Sequence, residues 1–157
     1  MNDIRTSNRG STVDSSRADR ERSLDALHTL EIHAGRAAPG REHDWLADVH
    51  RAIAALERAL TIQECNSAPD EGLLSAIERD EPRLRRRVEE LRQRYRAVND
   101  DVAALSRQLH AISPTDTIDV ADIRQTLERI AGELRYQRAR ETDLVYEAYA
   151  LDLGEGD

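Results

Sequence analysis

The chain has 157 residues, 34 % of them charged and 39 % hydrophobic, with a formal net charge of −8 and no phenylalanine. That length suits one domain burying roughly 70 % of the surface its unfolded chain exposes, and a lone cysteine, Cys65, excludes a disulfide scaffold and fits a reducing, cytoplasmic setting. The acidic balance and 3 % aromatic content argue against nucleic acid as the partner, and no apolar run approaches the roughly 18 residues of a membrane span.

Residues 1–16 are polar and aperiodic. They predict a disordered tail without the apolar stretch of a secretory signal. From residue 17 onward, apolar residues recur at steps of three and four, and no alternating pattern persists, so strands are not expected. The first helix is expected from about Arg17 to about Gly35, with Leu24, Leu27, Leu30 and Ala34 on one face, ending at the Pro39-Gly40 break. The second runs from about Asp44 to Cys65 on the series Leu46, Val49, Ile53, Leu56, Leu60. A short turn of helix over Gly72–Arg79 leads into Pro82, a residue suited to a first helical turn. The third helix carries Leu84, Val88, Leu91, Tyr95, Val98, Val102, Leu105, Leu109 and Ile112. The fourth carries Ile123, Leu127, Ile130, Leu134, Gln137, Glu141, Leu144, Ala148 and Leu151.

Short connections between long helices make neighbours antiparallel. The expected fold is therefore all-α, an up-down-up-down antiparallel four-helix bundle over residues 17–153 with a flexible tail at 154–157. A repeat near 3.5 residues implies left-handed packing at roughly 20°.

The informative residues lie on the seam without being apolar: Gln63, Tyr95, Gln137 and Glu141, with Arg20 and Arg17 on the first helix. At a rise of about 1.5 Å per residue, the first three and the arginines fall within one layer, about 22–28 Å from one end of the bundle, with Glu141 about a turn higher. A buried carboxylate needs compensation, so Glu141 is expected to pair with Arg20 or Arg17, with Gln63, Tyr95 and Gln137 completing a hydrogen-bond network. His28, Glu31 and His50 form a second cluster of candidate metal ligands near the opposite end. Their ordinary reading is a boundary salt bridge with solvated imidazoles. The arginines between Arg83 and Arg96 read as a solvated face. The acidic stretch from Glu141 to Asp157 is a candidate to lie against it. No nucleophile elbow, P-loop or dinucleotide-binding loop is present, and no enzyme is expected.

Ala37, Pro39, Gly40, Arg41 and Trp45, then Gly72-Leu73-Leu74, Pro82-Arg83-Leu84, Val88 and Leu91, then the run from Arg140 to Ala148 resemble the hemerythrin-like (HHE cation-binding) family. The resemblance spans about Leu24 to Asp157. It implies a four-helix bundle in which His and carboxylate side chains hold two irons. The family would place His near Gln63, near Tyr95 and near Tyr136 or Gln137. None of these is His, and only Glu141 is of ligand type; amides and phenols are poor iron ligands beside imidazole and carboxylate. The resemblance therefore implies a vestigial metal site without cofactor, in a non-enzymatic protein acting through protein–protein contacts. Self-association would use apolar residues left outside the core, such as Leu30, Ile32 and Ile62. The alternative is a metal protein binding iron for oxygen, nitric oxide or redox sensing, with Glu141 joined by Glu31, His28 or His50. A nucleic-acid adaptor built on the arginine face is a third reading.

Overall fold

The structure is a computed structural model that describes residues 3–66 and 72–150. Among these the chain forms α1 (Asp3–Gly35), α2 (Glu42–Asn66), α3 (Leu73–Asp80), a 3-10 turn at Pro82–Leu84, α4 (Arg85–His110) and α5 (Val120–Ala150). The fold is all-α, with no strand among the described residues. Except at the start of α1, periodicity placed the long helices within a few residues of their ends, and the short turn ahead of Pro82 is α3.

The N-terminal boundary differs. A disordered tail was expected through Ser16, whereas helix begins at Asp3. Extending a helix already held by tertiary packing adds one hydrogen bond per residue fixed, without a second nucleation, and no proline interrupts residues 3–16. Met1, Asn2 and the tail expected at 154–157 lie outside the described residues.

The turn between α1 and α2 depends on Gly40, whose φ of 77° lies in the left-handed region that a β-carbon disfavours. Its N–H donates to the Glu42 carboxylate at 3.0 Å. The hydrogen bond from Glu42's own N–H, and then this one from Gly40, hold the carboxyl below the usual range, as donors at a helix N-terminus do.

α1 packs on α2, α2 on α4, α4 on α5, and α5 returns to α1. Side-chain contacts give their directions. Ser23 near the middle of α1 meets Gln63 near the end of α2, while Trp45 at the start of α2 donates to the Ala34 carbonyl at 3.4 Å. Asn99 reaches Glu64, and His110 lies against His50. Arg87 meets Glu147, and Asp101 meets Arg129. Each of these pairs runs antiparallel. α5 is also clasped to the end of α1: Arg124 donates to the carbonyls of Ala34 (2.8 Å) and Arg36 (2.7 Å) and stands over the Trp45 ring at 5.4 Å. Those carbonyls belong to the last turn of α1 and its exit, where no intrahelical donor is available.

Buried side chains fall into two clusters. The first joins Leu27 and Leu30 of α1, Trp45 to Leu60 of α2, Val98 to Leu109 of α4, and Ile123 to Ala131 of α5. The second joins Leu73, Leu74 and Ile77 of α3 with Leu84, Val88 and Leu91, and with Leu144 and Ala148 of α5. α2 has ended at this level, and α3 packs against α4, α5 and α1. No helix among the described residues is long and apolar enough to cross a membrane.

Candidate functional site

Between the two clusters the seam turns polar. On α4 the apolar series passes from Leu91 to Val98 through Tyr95, and on α5 from Ala131 to Leu144 through Gln137 and Glu141. Gln137 is 0 % and Glu141 4 % exposed. Heptad continuity buries these positions whatever residue occupies them, so their polar atoms must find partners inside the protein.

Glu141 finds two. Arg20 donates from Nη1 to Oε1 at 2.9 Å, and the Tyr95 hydroxyl donates to Oε2. The Arg20 side chain is only 16 % exposed, and its Nε donates to the Ser16 carbonyl one turn back at 3.2 Å. Arg138 adds a second guanidinium, donating to the Arg20 carbonyl at 2.9 Å. Burial and the Arg20 charge pull the Arg138 pKa down. Burial, then the Glu141 charge and the hydrogen bond to it, raise the Tyr95 phenol well above its ordinary value. The phenol is therefore a neutral donor in this layer.

The remaining members attach differently. Gln63 accepts from the Ser23 hydroxyl at 2.8 Å. Gln137 does not join Glu141: its Nε2 donates to the Arg94 carbonyl (2.8 Å) and to Glu133 (3.2 Å), and its Oε1 is buried without a hydrogen-bond partner. The expected network thus divides into a charged centre of Arg20, Glu141 and Tyr95, a Ser23–Gln63 contact and a separate Gln137 bridge. Arg17, the other proposed counter-ion, is exposed and pairs with Glu21 one turn along α1. Ser23 and Arg138 escaped notice in the sequence. The expected face of α1 began at Leu24, which is only half-buried, whereas the buried face runs Asp19, Ser23, Leu27, Leu30, Ala34. Ser23 and Asp19 were missed with that register, and Arg138 follows Gln137 outside the apolar series.

The second candidate cluster does not converge. Glu31 pairs with Arg135 of α5 at 2.6 Å, His28 is exposed, and the His50 ring faces His110 of α4 with centroids 5.6 Å apart. Glu31 thus faces α5 while His50 faces α4, and a shared height along the helices did not place them on a shared face. Leu30 likewise belongs to the core at 2 % exposure, whereas Ile32 and Ile62 are exposed.

The arginines of α4 are largely paired. Arg86 meets Glu90 within the helix, Arg92 meets Glu78 of α3, and Arg94 meets Glu133 of α5. Glu147, from the acidic C-terminal stretch, joins Arg83 and Arg87 of the same chain, and the Arg87 hydrogen bond holds its pKa low.

The polar layer does not fit a metal ion. A guanidinium occupies one Glu141 oxygen and a phenol the other. The other polar groups are amides, a hydroxyl, the Arg138 guanidinium and the buried Asp19 carboxylate, which pairs with Arg22 at 3.0 Å. Among the described residues no three His, Cys, Asp or Glu side chains converge. A cation at Glu141 would face Arg20 at contact distance, a repulsion that a low-dielectric layer magnifies. Compared with protein-family models, curated proteins and solved structures, the chain matches none.

Proposed function

We propose that the four long helices form an up-down-up-down bundle of hemerythrin-like type in which an internal ion pair stands where that family holds its metal, and that this non-enzymatic, cytoplasmic protein acts through protein–protein contacts. The observation that carries the reading is the Arg20–Glu141 contact at 2.9 Å, closed by Tyr95. In bundles, cofactor sites are built from side chains that face one another across the core. Here the facing side chains neutralise one another, and Glu141 has no oxygen left without a donor. The exposed Ile32, Ile62, Tyr136 and Tyr146 supply apolar surface for a partner, and aromatic residues are enriched in interface cores.

The test is metal content of the purified protein, with absorbance recorded before and after anaerobic iron loading. The expected result is far less than one metal per chain and no new band. About two irons per chain with a charge-transfer band would replace this reading with a working metal centre.

A further inference from the structure

We propose that the cavity bordering the polar layer is a binding site for a small neutral molecule with an apolar body about one aromatic ring in size and a hydrogen-bond-accepting head. The cavity holds about 190 Å³. It lies where α2, α3 and α4 meet beside Glu141, with Leu60, Leu73, Leu74 and Tyr95 among its walls. A cavity of roughly 150 Å³ with aliphatic walls accepts benzene, so this space takes a ring and a short substituent but not a nucleotide or a lipid chain.

The walls also specify charge. Glu141 is neutralised by Arg20, Arg92 by Glu78, and Arg96 by Glu89. An anionic ligand would have to break one of these pairs or enter without a counter-ion. A cationic one would find, among the described lining residues, only Glu64, which is exposed and accepts from Asn99. Among the described lining residues two polar groups have unused capacity, a donor on Gln63 and the buried Asn99 Oδ1, an acceptor without a partner. Gln63 accepts from Ser23 through Oε1, while its Nε2 donates to no group among the described residues. An alcohol or carbonyl oxygen beside Gln63, with a ring against the leucines, satisfies both ends of the cavity. This occupancy goes beyond the protein-contact reading and stands whether or not that reading holds.

The experiment uses the full chain with three probes of similar size: benzyl alcohol, ethylbenzene and benzoate. Binding is read by methyl chemical shifts of Leu60, Leu73 and Leu74 and by thermal shift. Benzyl alcohol is expected to move these methyls saturably at millimolar concentration or below, with benzoate at least tenfold weaker. Gln63→Leu should weaken benzyl alcohol at least fivefold and leave ethylbenzene unchanged, which a merely structural effect would not do. Leu74→Phe, which fills the space, should abolish both. If Leu74→Phe does not fold, the wild-type methyl shifts decide alone. Saturable shifts confined to other residues, an absence of saturation, or equal affinity for benzoate and benzyl alcohol would overturn the proposal.

Discussion

A carboxylate 4 % exposed is tolerable only while its donors remain. Truncating one partner of a buried pair costs about 3–5 kcal/mol, because the other charge stays behind uncompensated. Arg20→Met should therefore lower unfolding stability by about that amount, whereas adding Glu141→Leu to it should restore most of the loss. Urea unfolding of wild type and both variants checks this, and equal stability of the single and double variants would show that Glu141 escapes to solvent. Tyr95 gives the layer a pH signature. Its folded pKa is raised, chiefly by burial, so the folded state holds a proton that the unfolded chain begins to lose near pH 10. Its contribution is complete below that pH and falls as pH rises towards the folded value. Unfolding measured from pH 8 to 11 should show stability declining above about pH 10, with a shallower decline in Tyr95→Phe. At this scale the sequence was informative wherever a polar residue broke an apolar series, as at Tyr95 and Glu141. It was silent about which amide would reach which carbonyl: Gln137 turned to the backbone of Arg94, a choice set by rotamer and helix crossing rather than by register.

The helices themselves were legible because three- and four-residue spacing places apolar side chains on one face. α4 is the clearest case, since Val88, Leu91, Val98, Val102, Leu105 and Leu109 of its seam are all buried. Two features of the elements were not legible. The start of α1 at Asp3 has no apolar pattern in the sequence to announce it. The role of α3 also had no local signal. Its eight residues look like a linker turn, yet Leu73, Leu74 and Ile77 anchor the second apolar cluster, and Ser75 and Glu78 both bind Arg92. α3 lies beyond the end of α2, and this placement is a tertiary fact. The failed convergence of His28, Glu31 and His50 has a similar origin: height along a helix follows from residue counting, but azimuth depends on how each neighbour is packed.

Across the whole molecule, two apolar clusters meet at one charged layer, and the first and last long helices are bound together by contacts distant in sequence. Arg124 is the clearest of these, holding carbonyls 90 and 88 residues away. Its consequence is kinetic. Closing so long a loop is entropically unfavourable until the intervening helices have docked, so the clasp belongs to the last steps of folding and is absent from the transition state. A contact of that kind governs how fast the native state comes apart rather than how fast it forms. Arg124→Met should speed unfolding by about tenfold, in proportion to a loss of roughly 1.4 kcal/mol, and leave the refolding limb of the chevron almost unmoved. A slowed refolding limb would place this contact in the folding nucleus. With the clasp made late, the lifetime of the assembled protein is set at the turn of the α1–α2 hairpin, far from the charged layer.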